Sequence, residues 1–82
     1  MTREAEIFGA SLKRMREKKG LTQEGLAREA GITASYTSQL ERGEKVVSLT
    51  VILKLARALE MTPSDLLTDF TMAAVKRLRF DE

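Results

Sequence analysis

Between Thr33 and Gly43 runs a segment rich in small, polar and mostly uncharged side chains. Wound as a helix, it turns Thr37 and Leu40 inward and leaves Ala34, Ser35, Tyr36, Ser38, Gln39 and Arg42 facing outward. Hydroxyls, a carboxamide and a guanidinium on one face donate and accept hydrogen bonds. That is the chemistry of association, and a helix that only had to pack would tolerate Lys and Glu at such positions. The means of breaking bonds are sparse by comparison. The chain has no cysteine and no histidine, which excludes disulfides, the usual zinc ligand sets and the Cys-His and Ser-His-Asp nucleophile arrangements. Its carboxylates fall on charged, solvated stretches where nothing shifts a pKa toward acid/base work. A hydrolase built on them needs a metal cluster or apolar pocket, and the sequence shows neither. The expectation is a binding protein that is no enzyme and has no cofactor, metal or small-molecule substrate.

The elements that must position this face are helices. A chain of 82 residues makes one domain with a modest core. With 43% hydrophobic and 32% charged residues, it is expected to fold rather than stay disordered. No apolar run is long enough for a signal peptide or a membrane span, so a cytoplasmic location is expected. The formal net charge is only +2, yet five of the fourteen basic residues cluster in Lys13-Arg14-Met15-Arg16-Glu17-Lys18-Lys19. Such a cluster either attracts a polyanion or complements a helix dipole.

Phe8, Leu12 and Met15 form one stripe of a first helix, from about residue 4 to 19, which Gly20 stops. Thr22 caps a short second helix with Leu26, Ala27 and Ala30 inward, and Gly31 ends it. Thr33 caps the third helix and Gly43 closes it. Ser48 caps a fourth whose Leu49, Ile52, Leu53, Ala56 and Leu59 make a broad apolar face; Val51, Leu55 and Ala58 extend it, implying burial on two sides or a dimer contact. Thr62-Pro63-Ser64-Asp65 starts a fifth helix. Its stripe of Leu67, Phe70, Ala74 and Leu78 either runs on to about Arg79 or breaks at Thr68-Asp69 and recaps a sixth helix. The predicted fold is all-α, a compact helical bundle in one domain over residues 1–82. No repeat, low-complexity tract or linker interrupts it.

Two short helices around a tight turn at Gly31, the second with a polar outer face, suit a DNA major groove. The residues resemble the Cro/C1-type helix-turn-helix regulators, the XRE family, with its lambda-repressor-like fold. The likeness rests on Phe8-Gly9 with Leu12 and Arg16, Gly20-Leu21-Thr22-Gln23-Glu24-Gly25-Leu26-Ala27, Ala30-Gly31-Ile32, Ser35-Tyr36-Thr37-Ser38-Gln39-Leu40-Glu41-Arg42-Gly43, and Ser48-Leu49 through Ala58-Leu59. It covers residues 8 to 67 and implies a compact five-helix bundle with its core there, followed by a C-terminal helical extension at 68–82. The resemblance implies a transcriptional regulator whose third helix enters the major groove of a double-stranded DNA operator, usually as a dimer. Gln23 matches the glutamine that holds a phosphate and braces the recognition helix; Thr33, Ala34, Ser35, Tyr36 and Gln39 match positions that read bases or touch nearby phosphates. Chemically, Gln39 suits a bidentate contact to adenine, Ser35 serves several bases, and the Ala34 methyl can meet only a thymine methyl. Tyr36 either contacts the sugar-phosphate wall or is half-buried packing. Glu41 and Arg42 match the family's Glu-Arg-Gly ending, as an ion pair or cap or as a DNA contact, and Lys45 is a phosphate candidate.

Two positions depart from the family pattern. Thr37 replaces the usual Ile or Val, which weakens the core unless its hydroxyl bonds back to the helix backbone. Gly25 stands where Glu is usual, costing about 1 kcal/mol of helix propensity. A short stand-alone domain of this kind resembles the controller proteins of restriction-modification systems, although phage or mobile-element repressors and antitoxins, which bind proteins, share the same residues. The thin set of base-reading side chains calls for a two-fold homodimer. Its candidate contacts are Val51, Leu55, Leu67, Phe70 and Leu78.

Overall fold

A computed structural model describes residues 2–80, and among them every regular element is a helix. In chain order these are α1 (Arg3–Lys18), α2 (Gln23–Ala30), α3 (Ala34–Glu41), α4 (Leu49–Ala58), α5 (Pro63–Leu66) and α6 (Met72–Lys76). Each begins at a hydroxyl side chain that accepts a backbone N–H of the first turn: Thr2, Thr22, Thr33, Ser48, Thr62 and Thr71. Such caps satisfy N–H groups that no helix can bond internally, at about 1 kcal/mol apiece. At Thr62 the cap is reciprocal, because Asp65 accepts the Thr62 N–H at 3.0 Å while Thr62 accepts that of Asp65. The tight turn between α2 and α3 depends on Gly31 at φ +73°, a left-handed conformation that glycine adopts without a Cβ penalty.

Phe8 and Leu12 of α1, Leu26 and Ala30 of α2, Leu40 of α3, Leu55, Ala56 and Leu59 of α4, and Leu66 of α5 form one buried core. The expected inward residues of α1, α2 and α3 are all buried except Met15, which packs half-buried against this core. Ser11 is also fully buried and donates its hydroxyl hydrogen to the Leu66 carbonyl at 3.0 Å, so α5 is tied to α1 through a satisfied polar contact.

Helix α4 is rotated from the face its sequence suggests. Leu55, Ala56 and Leu59 are buried, whereas Leu49 is 69% and Leu53 is 49% exposed. At about 100° per residue, Ile52, Leu55, Ala56 and Leu59 span one arc with Leu49 and Leu53 beyond its edge. A ten-residue helix apolar almost all round does not announce which arc its neighbours will take. The expectation that Leu55 is a dimer contact is therefore corrected: its side chain has zero exposure and is consumed by its own core. Val51, Leu67 and Phe70 are half-buried against that core, and Leu78 is half-buried as well.

The fifth helix does not run on to Arg79; the chain breaks around Thr68-Asp69 and a separate sixth helix follows, the second of the two expected alternatives, with Thr71 as its cap. Helix α5 stops at Leu66, where the Thr68 hydroxyl bonds the carbonyls of Ser64 and Asp65, both at 3.0 Å. A side chain that takes the last carbonyls competes with the next helical turn. Thr71 then caps α6, which contributes no buried residue. Residues 81 and 82 of the expected extension lie outside the described residues.

Candidate nucleic-acid interface

The back of α3 is locked in place. Leu40 and Thr37 are fully buried, and the Thr37 hydroxyl donates to the Thr33 carbonyl at 3.0 Å, which is how a polar residue replaces an aliphatic one without leaving an unpaired group. Gly9 lets α1 run against the C-terminal end of α3: a Cβ there would stand 2.3 Å from the Leu40 carbonyl oxygen and 2.8 Å from that of Glu41. Only glycine fits such an approach.

An ionic junction fastens the same end. Arg16 donates from Nε to Glu41 Oε2 at 2.6 Å and from Nη2 to Oε1 at 3.0 Å, and its Nη1 reaches the Leu21 carbonyl at 2.8 Å. Gln23 completes it, with Nε2 donating to Glu41 Oε1 at 3.0 Å. The side chains of Arg16 and Glu41 are 11% and 3% exposed, so the pair lies in a region where charges are weakly screened and both forks of hydrogen bonds count. The hydrogen bonds donated to Glu41 raise the Arg16 pKa above its ordinary value, outweighing the opposite effect of burial. One junction thus joins α1, the start of α2 and the end of α3. Arg16 is removed by it from the exposed basic cluster, and Arg14 pairs with Asp69 at 3.0 Å, while Lys13, Lys18 and Lys19 are exposed.

The front of α3 faces outward. Ser35 and Arg42 are exposed, and Ala34, Ser38 and Gln39 are half-buried beside them. Helical periodicity sets Ser35, Ser38, Gln39 and Arg42 on one outer face. Thr33 is exposed while its hydroxyl accepts the Tyr36 N–H at 3.0 Å. Tyr36 is half-buried with its ring against the edge of the core. Lys45 is exposed on the loop leaving α3. Gln23 stands at the first residue of α2, held to the end of α3 by the carboxamide bond to Glu41.

Residue-by-residue reading of the sequence did not find the pairing of Arg42. Its Nε and Nη2 donate to Glu44 Oε2 and Oε1 at 2.7 and 3.1 Å, and Nη1 donates to the Ser38 hydroxyl. The hydrogen bond from Arg42 holds the Glu44 carboxyl below its usual range, against an opposing desolvation and with the charges of Arg42 and Lys45 acting in the same direction as the bond. The signal was present as a two-residue spacing across a glycine, which brings opposite charges together only if the turn folds back.

A helix-turn-helix domain family matches residues 7–68. The chain belongs to that family. It is 42% identical over 66 residues to the control protein C.BamHI of Bacillus amyloliquefaciens, covering 79% of this chain and 80% of that one. The HTH-type transcriptional regulator YazB of Bacillus subtilis is 38% identical over 63 residues, 77% of this chain and 91% of its own. Among solved structures, the restriction-modification controller protein C.AhdI of Aeromonas hydrophila superposes with a TM-score of 0.75 at 46% identity, covering 77% of this chain and 96% of that one. This helix-turn-helix chain therefore shares its fold, and most of its length, with transcriptional regulators and controller proteins.

Proposed function

We propose that the chain is a sequence-specific regulator of transcription that binds double-stranded DNA with α3 in the major groove. The observation that carries this reading is the division of α3 into two faces. One is immobilised by Leu40, Thr37 and the Arg16–Glu41–Gln23 junction, and the other presents Ser35, Ser38, Gln39 and Arg42 outward. In this reading Ala34, Ser35 and Gln39 face base edges. Thr33, Tyr36, Arg42, Lys45 and the free hydrogen of the Gln23 carboxamide face phosphates. The protein works as a regulator and not as an enzyme, in the cytoplasm where its DNA lies. No helix among the described residues is long and apolar enough to cross a membrane. Its likeness to C.BamHI and C.AhdI favours control of a restriction-modification system over an antitoxin or phage-repressor role.

The working form is a two-fold homodimer. One α3 with so few base-reading groups discriminates a short site, and two on half-sites about 34 to 36 Å apart discriminate a long one. The apolar surface supports it: Val46, Leu49 and Leu53 are 62%, 69% and 49% exposed on and before α4, a large solvated patch for so small a chain. These join Val51, Leu67, Phe70 and Leu78 as proposed contacts. Sedimentation equilibrium of the intact protein and of Leu49→Lys/Leu53→Lys decides the point, since a wild-type monomer at micromolar concentration refutes the dimer.

The experiment for DNA reading is a titration of operator and random duplexes at two salt concentrations. Binding to both must weaken steeply with salt. Gln39→Ala is expected to lose about 1 to 3 kcal/mol on the operator and little on random DNA. An equal loss on both counts against base reading.

A further inference from the structure

Arg42 is the C-cap residue of α3 and the only Lys or Arg between Glu29 and Glu44. Gly43, at φ +75°, turns the chain back so that the Glu44 N–H meets the Gln39 carbonyl at 2.9 Å. That turn brings the Glu44 carboxylate onto the side edge of the guanidinium, at 2.7 and 3.1 Å, while Ser38 takes a hydrogen from Nη1. Ser38 and Arg42 lie one turn apart on the face that also carries Ser35 and Gln39. The one cation on the outer face of α3 is thus covered by a carboxylate from its own chain. Both side chains are well exposed, 56% and 40%, so the cover is not a buried structural pair.

We propose that Glu44 occupies, on Arg42, the place of a DNA phosphate, and that this internal pair suppresses sequence-independent binding. The inference rests on the DNA-binding reading above. Affinity for any duplex grows with the number of phosphates that the protein's cations neutralise, because each releases condensed counterions. A guanidinium already bonded to a carboxylate neutralises none until that pair opens. A carboxyl group with the same planar, two-oxygen geometry as a phosphate edge makes an effective competitor. Opening is easy, since an exposed pair of this kind is worth at most about fivefold in an equilibrium constant. An operator that fits Ser35 and Gln39 can supply that from base contacts, whereas random DNA cannot. Glu44 is in this sense a specificity-determining residue that acts through Arg42.

The test is fluorescence anisotropy on an operator duplex selected from genomic fragments and on a random duplex, over a salt series. The proteins are wild type, Glu44→Gln, Arg42→Ala and the double variant. Glu44→Gln is expected to bind the random duplex about three- to fivefold tighter, with a log–log salt slope steeper by about 0.9 and a smaller ratio of operator to random affinity. In the Arg42→Ala background the same substitution is expected to gain less than about twofold, because the group it unmasks is gone. Thermal melts of the four proteins should differ by no more than about 8 °C, as the pair is exposed. Weaker binding by Glu44→Gln overturns the proposal, since it makes Glu44 a support that aims Arg42. So does an unchanged salt slope, or an equal gain with and without Arg42, which reduces Glu44 to a general repulsive charge. A wild-type protein that binds no duplex at any salt refutes the DNA reading itself, and the inference with it.

Discussion

Replacing Glu41 with glutamine keeps the shape of the junction behind α3 and removes its negative charge. Arg16 then keeps the Leu21 carbonyl at 2.8 Å but loses the carboxylate that accepts from both Nε and Nη2. Gln23 loses the anionic acceptor of its carboxamide bond. Removing one member of a buried pair costs about 3 to 5 kcal/mol, because the other charge is left uncompensated. The guanidinium retains 11% exposure and one backbone partner, which places the loss near the lower end, about 3 kcal/mol. A domain of this size has about 4 to 12 kcal/mol in total, so the variant still folds but melts about 10 to 20 °C lower. Replacing both residues, as Arg16→Met/Glu41→Met, should recover most of the loss, since apolar groups of similar volume need no compensation. Urea and thermal unfolding followed by circular dichroism measure wild type, Glu41→Gln, the single variants Arg16→Met and Glu41→Met, and the double variant, and DNA titrations of the double variant then report on α3 placement without the junction. A loss below about 1 kcal/mol for Glu41→Gln refutes the reasoning, since that is the behaviour of a solvated surface pair. A double variant as unstable as the sum of the two single ones refutes it equally, because the residues would then be uncoupled.

Thr37→Val should change stability by less than about 1 kcal/mol, since the lost hydrogen bond and the gained methyl burial are of similar size; the Thr33 carbonyl keeps its bond from the Thr37 N–H. Thr37→Ile is expected to lower the melting temperature instead, because the site has zero exposure and an extra methylene overpacks it. Glu60 has φ +55° just after α4, so Glu60→Gly should raise stability by about 0.5 to 1 kcal/mol in denaturant titrations, and an unchanged midpoint would show that the strain is negligible. Lys45→Ala should weaken operator and random DNA alike and reduce the salt slope by about one phosphate contact; an unaltered slope removes Lys45 from the interface.

Local chemistry in the sequence determined the helices and the polar face. Thr22, Thr33, Ser48 and Thr62 cap where their residue types suggest, Gly31 and Gly43 end the helices before them, and Thr37 and Leu40 are the inward pair of α3. These outcomes depend on bonds spanning three to five residues, so neighbours in sequence carry the information. Tertiary packing alone decided the rest. Arg16 meets Glu41 across 25 residues and Ser11 meets Leu66 across 55, distances over which no periodicity speaks. Leu55 went into the core and Leu49 and Leu53 to the surface, because on a helix apolar almost all round the neighbours choose the arc that is buried. Thr68 ended α5 by bonding the carbonyls of Ser64 and Asp65, a competition with the next helical turn that residue type alone leaves balanced.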